Sequence, residues 1–324
     1  MTDEREGAGA ASAAVGAAPT GSAPTGTAPT GSAAANTVVT ATGAVAAATA
    51  ATGEGARPVG PGVARLDGSP ATADDLAALA LYNYGHFTAL RVEHGRVRGL
   101  ALHLRRLADD SRTLFAAELD TGAVRAALRR VAERSEGPVT VRVTVCAPEM
   151  NLDCPDTLTP VALISTRPAP PDVPPPLRLA TASYVRDLPE VKHTSLFGTL
   201  RLRRDARRRG FDDALLLDPG GRVQEGTTFN VCGWDGARLL WPRASCLPGV
   251  TARLLREAAT AAGVPALDAP VTRHELGALR GVFATNAAFG VRPVAAVDGT
   301  AVPVDPELLA TLRALYAEVP AEPL

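Results

Sequence analysis

Lysine is nearly absent from this 324-residue sequence: of its 33 basic residues, every one except Lys192 is an arginine. Arginine can replace lysine on a solvated surface, but it stays protonated and cannot act as a neutral amine toward a carbonyl group. A lysine amine can do so once burial lowers its pKa. The sequence therefore predicts chemistry at Lys192, against the alternative that one lysine survived by chance in an arginine-favouring composition.

Other features are equally sparse. The net charge is -1, which indicates neither a nucleic-acid partner nor an anionic membrane surface. Four cysteines (Cys146, Cys154, Cys232 and Cys246) stand without a C-x-x-C pair and without a preceding signal sequence, so neither a disulfide framework nor a metal site is predicted. The apolar stretch 44–51 is too short for a membrane span. These absences predict a soluble, cytoplasmic protein.

Composition divides the chain into four parts. Residues 7–55 are almost entirely Ala, Gly, Thr, Ser, Pro and Val, which cannot bury enough surface to fold, so residues 1–56 are predicted to form a disordered tail. Folded sequence begins near Arg57. The proline-rich segment 167–176 indicates a linker between an N-terminal domain, 57–166, and a C-terminal domain, 177–324.

Periodicity predicts the elements of both parts. Helices are predicted over residues 71–81, 102–115, 123–134, 199–209, 250–262 and 306–316. Strands are predicted over residues 87–92, 139–145, 161–165, 177–182, 214–217, 223–225, 282–284 and 294–297. Alternating helices and strands in two blocks argue for an α/β protein of two domains.

Short motifs follow one another on both sides of Lys192. Beyond it lie Gly210-Phe211-Asp212-Asp213-Ala214-Leu215-Leu216-Leu217-Asp218 and Glu225-Gly226-Thr227-Thr228-Phe229-Asn230. The others are Phe87-Thr88-Ala89-Leu90-Arg91-Val92, His103-Leu104-Arg105-Arg106-Leu107, Leu247-Pro248-Gly249-Val250-Thr251, and Thr285-Asn286-Ala287 leading to Arg292-Pro293-Val294. In this order they resemble the class IV pyridoxal-phosphate enzymes, which include branched-chain and D-amino-acid aminotransferases and aminodeoxychorismate lyases. The resemblance covers roughly residues 82–297.

The resemblance implies a fold, a cofactor and a partner. The fold would be a smaller N-terminal α/β domain and a larger C-terminal pseudo-barrel domain, with pyridoxal 5'-phosphate in the cleft between them. Relatives of this kind are generally homodimers. Lys192 would form a Schiff base with the cofactor and later move a proton, Glu225 would hold the pyridine nitrogen, and Arg106 would hold the phosphate with its planar fork.

Further cofactor and substrate contacts come from the same resemblance. Val250 and Thr251 would present amides and a hydroxyl to the phosphate at a helix N-terminus. The backbone of Asn286 and Ala287 would add donors, and Phe87 and Phe197 are candidates for the substrate pocket.

Two residues of the phosphate-arginine motif need separate treatment. Arg105 lies beside the phosphate arginine but on another face of the helix, so it is expected in solvent. His103 is expected to be satisfied by backbone groups rather than to act as a base.

Departures from the family concern the substrate. The loop Tyr84-Gly85-His86-Phe87 is shorter than in many relatives and lacks an aspartate. Cys146-Ala147-Pro148 stands where an Arg-Gly pair often ends the strand in D-amino-acid transaminases and aminodeoxychorismate lyases, so an expected carboxylate clamp is missing. The Asn-Ala pair at 286–287 is more similar to the lyase branch.

Two enzyme hypotheses follow from these motifs. The first is an aminotransferase acting between an amino acid and a 2-oxo acid. The second is an aminodeoxychorismate-type lyase that releases pyruvate, and both need Lys192, Glu225 and Arg106. A non-catalytic descendant would require a damaged site, and these three residues are intact. The arginine run 201–209 could contact nucleic acid, but its charges spread around several helical faces, so a solvated helix is favoured. The amino donor, the acceptor and the substrate stereochemistry stay open.

Overall fold

The computed structural model describes residues 63–153, 155–156, 158–170 and 173–324. The tail predicted over residues 1–56 lies outside these residues. Within the described ranges, no helix combines the length and the apolar character that a bilayer crossing requires.

The first half of the described chain builds a four-stranded sheet in the order β1-β5-β4-β2. Its elements are β1 (Val63–Arg65), α1 (Ala73–Leu81), β2 (Gly85–Val92), β3 (Arg96–Arg98), α2 (Leu100–Phe115), α3 (Thr121–Glu133), β4 (Val139–Cys146) and β5 (Val161–Pro168). The alternation of β4 sends Val141, Val143 and Val145 into a core shared with Leu107 of α2 and Leu128 of α3. The opposite face of β2 and β4 is therefore left for other contacts, and it carries Phe87.

The second half builds a mixed nine-stranded sheet whose main path runs β11-β10-β9-β12-β13-β6-β7-β8, with β14 added to β13. Its elements are β6 (Leu177–Ser183), α4 (Phe197–Arg208), β7 (Asp213–Leu217), β8 (Val223–Gly226), β9 (Asn230–Trp234), β10 (Leu239–Pro242), α5 (Val250–Ala261), β11 (Ala266–Ala269), β12 (Gly281–Asn286), β13 (Gly290–Val297), β14 (Thr300–Ala301), α6 (Pro306–Glu318) and β15 (Ala321–Pro323). A short 3-10 helix covers Glu275–Ala278. The apolar strands β7, β9 and β12 are buried throughout most of their length, as a covered sheet requires.

Local sequence explains where the helices begin. Thr72 and Asp75 form a reciprocal capping box at the start of α1. Asp305 caps α6, and Pro306 occupies its first turn, where a missing N–H costs nothing. Asp120 caps α3 in the same way.

The predicted elements are confirmed with shifted ends. β5 runs to Pro168 and so enters the segment predicted as a linker, because its final residues still pair with Val139 and Thr140 of β4. The chain also returns at its end: β15 pairs with β3, and Leu324 packs into the first core. The division into domains at 166 and 177 stays a prediction.

Candidate active site

Lys192 lies on a short stretch of chain, residues 191–194, that extends the first sheet; we call it the lysine segment. The Phe87 amide donates to the Lys192 carbonyl at 2.8 Å, and the Thr194 amide donates to the Gly85 carbonyl at 2.8 Å. The Lys192 amide donates to Asp110 Oδ2 at 3.2 Å. The lysine belongs by sequence to the second half of the chain, but its main chain is held by β2 and α2.

The Lys192 amine lies in a strongly cationic environment. Burial lowers its pKa from 10.5 to about 7, and the positive charges of Arg106, Arg186 and Arg142 act in the same direction, while Glu225 opposes them. Nζ lies 4.9 Å from the centre of the Phe87 ring. The Lys192 side chain is half-buried, and an amine with this pKa is largely neutral near pH 7.5, which is the form that attacks a carbonyl group.

Glu225 lies on β8 and pairs with Arg186, a residue that no sequence pattern singles out. Arg186 Nε donates to Glu225 Oε1 at 2.9 Å, and the Leu247 amide donates to Oε2 at 3.3 Å. The two side chains are 8 % and 9 % exposed. Arg186 also donates to the Val191 carbonyl at 3.1 Å, so one guanidinium joins Glu225 to the lysine segment. Arg186 lies in an irregular loop, where no periodicity could have identified it.

Arg106 reaches across from α2 to the start of α5. Its guanidinium donates to the Pro248 carbonyl, immediately before the helix. The N-cap is Gly249, with no side-chain cap in the described structure, so the first amides of α5 are left for another acceptor. A Cβ at Gly249 would collide with Asn230 Oδ1, which explains the glycine. The structure thus brings Arg106 and the predicted phosphate-facing helix end together.

Thr251, Asn286 and Ala287 are also predicted to contact the phosphate, and two of their side chains already have protein partners. Thr251 is buried, and its hydroxyl lies 3.4 Å from the Tyr316 hydroxyl. The Asn286 side chain is already bonded to the protein: Oδ1 accepts from the Ala288 and Phe289 amides, and Nδ2 donates to the Thr228 carbonyl at 3.2 Å. Only the main chain of Asn286 and Ala287 is therefore left to offer donors. A cleft of about 540 Å³ borders Ala287, but Lys192, Glu225 and Arg106 do not line it.

Phe87 is buried beside the lysine, and a second cation stacks on it. The Arg142 guanidinium carbon lies 3.7 Å from the ring centre, and Arg142 Nε donates to Thr144 Oγ1 at 3.0 Å. Burial lowers the Arg142 pKa, and the positive charge of Arg167 acts in the same direction. Arg142 was missed because it reads as one polar position in an alternating strand. Phe197, by contrast, is 78 % exposed at the start of α4, and its place in a pocket stays a prediction.

The expectation that backbone groups satisfy His103 is wrong. Its Nδ1 lies 2.8 Å from Thr88 Oγ1, because the first turn of α2 packs over β2. Nε2 is buried and has no partner among the described residues. Burial and the charges of Arg106 and Lys192 lower the His103 pKa to about 3, so the ring is neutral. Arg105 is exposed, as predicted.

The sequence and the fold are similar to those of known proteins. The family model described as Amino-transferase class IV matches residues 85–297. A Methanocaldococcus jannaschii protein provisionally named a branched-chain-amino-acid aminotransferase is 28% identical over 232 residues, covering 68% of this chain and 80% of that protein.

Two solved structures share the fold. One is a hypothetical aminotransferase from Mycobacterium tuberculosis bound to alpha-ketoglutarate and PMP, with a TM-score of 0.70 and 22% identity, over 79% of this chain and 98% of that one. The other, from Legionella pneumophila, is provisionally named a 4-amino-4-deoxychorismate lyase. It has a TM-score of 0.70 and 20% identity, over 78% of this chain and 96% of that one. At these identities the likeness shows the fold, with its curled second sheet.

Proposed function

The chain belongs to the class IV aminotransferase family, and from that premise we propose that it is a pyridoxal-phosphate-dependent aminotransferase acting between an amino acid and a 2-oxo acid. The observation that carries the proposal is the half-buried Lys192 side chain, whose amine has a pKa near 7, beside the buried Glu225–Arg186 pair and Arg106. Perturbed ionisable groups grouped in this way are typical of catalytic sites.

The residues present fit the cofactor. Arg106 and the uncapped start of α5 offer a cation and free amides to a phosphate, and His103 Nε2 is an unpaired buried polar atom near Arg106. Glu225 is a buried carboxylate that can accept a hydrogen bond from a protonated ring nitrogen. When bound, pyridoxal phosphate supplies an aldehyde for covalent attachment and a ring that withdraws electrons from the substrate.

Three side chains have distinct tasks in this proposal. The neutral amine of Lys192 would hold the cofactor by a bond to its aldehyde carbon, formed with loss of water, and, once displaced by the substrate amine, would carry a proton from the substrate carbon to the cofactor. Arg186 holds Glu225 in place through the buried ion pair. Arg142 offers a guanidinium for the substrate carboxylate, four residues before the position where relatives carry their arginine.

A spectrum tests the cofactor and the chemistry together. Purified protein is mixed with pyridoxal phosphate, and its near-ultraviolet and visible absorption is recorded before and after adding amino acids without any 2-oxo acid. Conversion of the lysine-bound form to pyridoxamine phosphate supports transamination. Lys192→Ala should lose the lysine-bound band while keeping its circular dichroism, and a wild-type protein that never shows the band would refute the proposal.

The alternative function, a lyase, has two observations in its support: the Asn286-Ala287 pair and the similarity to the Legionella structure. A lyase eliminates pyruvate and leaves the cofactor in its starting form. Incubation with aminodeoxychorismate, followed by a coupled lactate dehydrogenase assay for pyruvate, separates the two activities.

We also propose a homodimer. Phe197 and Leu200 on α4, with Leu188 in the preceding loop, are exposed large apolar side chains that a second copy could cover. Light scattering after size-exclusion chromatography should give twice the chain mass, and Phe197→Asp should lower it. A cytoplasmic location stays a prediction.

A further inference from the structure

A buried carboxylate lies directly beneath the lysine segment and takes no part in the proposed chemistry. Asp110, on α2, is 5 % exposed, and its Oδ2 accepts the Lys192 amide at 3.2 Å. It follows Arg106 by four residues, so the two side chains lie on the same face of the helix. One carboxylate therefore lies between the residue proposed to bind the cofactor covalently and the residue proposed to bind its phosphate.

Nothing nearby neutralises this carboxylate fully. Among the described residues, the one ion-pair neighbour of Asp110 is His86, whose Nδ1 lies 4.0 Å from Oδ2. His86 is itself fully buried with Nε2 3.0 Å from Ser111 Oγ, and burial lowers its pKa to about 4, so it is neutral at pH 7. The Asp110 carboxylate therefore interacts with the lysine segment through the Lys192 amide hydrogen bond, and with Arg106 through its charge.

The groups that face Asp110 explain its ionisation. Burial raises the Asp110 pKa to about 6, and neighbouring Asp109 acts in the same direction. The hydrogen bond from the Lys192 amide, together with the charges of Arg106 and Lys192, opposes the rise. Asp110 is therefore mostly ionised at pH 7.5 and mostly protonated at pH 5.

We propose that Asp110 is a positioning residue: its buried carboxylate fixes the Lys192 main chain against α2, one helical turn after Arg106, so that the covalent end of the site is held on the helix that carries the phosphate-binding arginine. A polar residue without charge would keep a hydrogen bond to the Lys192 amide, but that bond would no longer be strengthened by a charged acceptor. The inference rests on the proposed function, because Lys192 and Arg106 matter only if they hold the cofactor.

The single lysine makes the test direct. Apoprotein labelled with ¹⁵N-lysine gives one backbone amide resonance, that of Lys192, and its hydrogen exchange can be followed without assignment. In Asp110→Asn this exchange should accelerate roughly tenfold, because a charge-assisted hydrogen bond is weakened. Asp109→Asn is the matched control, since it removes the same charge one residue earlier from an exposed side chain paired with Arg112. Equal exchange in the two variants would overturn the proposal.

A second readout separates positioning from mere packing. The ratio of pyridoxal-phosphate dissociation constants, Asp110→Asn over wild type, should be about ten at pH 7.5 and approach one at pH 5, where the wild-type carboxyl is protonated as well. A ratio independent of pH would contradict the proposal. If the variant does not fold, wild-type protein answers the question: the Lys192 amide should lose protection between pH 7.5 and pH 5, and constant protection after correction for intrinsic exchange would overturn the inference.

Failure of the proposed function gives a different result. Wild-type protein that binds no pyridoxal phosphate would refute the cofactor assignment, whereas wild-type protein that binds it normally, with Asp110→Asn indistinguishable from Asp109→Asn, would refute only the role of Asp110.

Discussion

The titration of Lys192 can be measured on a single resonance. Protein made with lysine ¹³C-labelled at Cε has one labelled side chain, and its shift reports the charge on Nζ as the pH is varied. We expect a midpoint near 7, against 10.5 for an ordinary lysine. At pH 7.5 about three quarters of the amine would then be neutral, compared with about 0.1% for an exposed lysine.

Variants assign the cause of the lowered pKa. Arg142→Met removes one of the three guanidiniums that disfavour the charged amine, so the midpoint should rise. Glu225→Gln removes the opposing carboxylate, so the midpoint should fall. Arg253→Met, at an exposed position on α5, is the control and should leave the Lys192 midpoint unchanged. A wild-type midpoint above about 9 would refute the reasoning, because burial among cations would then not be acting on the amine.

The same lowered pKa fixes the sign of a stability effect. Between pH 7 and pH 10.5 the unfolded chain holds a proton on Lys192 and the folded chain does not. The free energy of unfolding should therefore contain a contribution that rises with pH in this window. Lys192→Met removes that contribution, so the variant should be more stable than wild type at pH 6.5, with the difference shrinking by pH 9.5 in thermal melts.

Three further outcomes are expected. Glu225→Gln should lower the free energy of unfolding by about 3 kcal/mol, because it leaves the buried Arg186 guanidinium without its carboxylate. Glu257→Gln, in an exposed ion pair, should change the free energy of unfolding by less than about 0.5 kcal/mol. Urea denaturation compares the two variants, and equal losses would contradict the importance of the buried pair. Gly249→Ala should weaken pyridoxal-phosphate binding about tenfold or more, because its Cβ meets Asn230 Oδ1 at the start of α5, and unchanged binding in fluorescence titration would count against that phosphate site. Arg142→Met should raise KM for amino acids about tenfold or more while the lysine-bound cofactor band stays, and a fall in kcat alone would argue against a carboxylate contact.

Sequence predicted what depends on local pattern. The alternating valines of β4 and the amphipathic helices have local signals. Lys192 is marked by being the single lysine, and Arg106 and Glu225 by their resemblance to family motifs; the structure brings these three residues into one region. Arg186 and Arg142 have none. Arg186 lies in an irregular loop and Arg142 in an ordinary strand pattern. Their roles follow only from their partners in the folded chain, which are Glu225 for Arg186 and the Phe87 ring for Arg142.

His103 shows the limit from the other side. A histidine in the first turn of a helix is commonly satisfied locally, but here β2 supplies Thr88 from another element. Asp110 was not distinguished either, because an aspartate on an amphipathic helix normally faces water, and only the packing of the lysine segment over α2 shows that this one does not. Pairings between distant segments are what single-sequence patterns cannot report.

Because the lysine segment is attached to β2, the candidate site contains residues from both sheets. The Lys192 main chain is hydrogen-bonded to the first sheet, whereas Glu225 lies on β8 of the second sheet and α5 belongs to the second half of the chain. A molecule bound by Lys192, Glu225 and the start of α5 would connect the two sheets, so local opening of the folded chain would be rarer with the molecule bound than without it. Protease digestion and hydrogen exchange should then slow across both sheets at once when the cofactor is added, and not only in the loops that touch it.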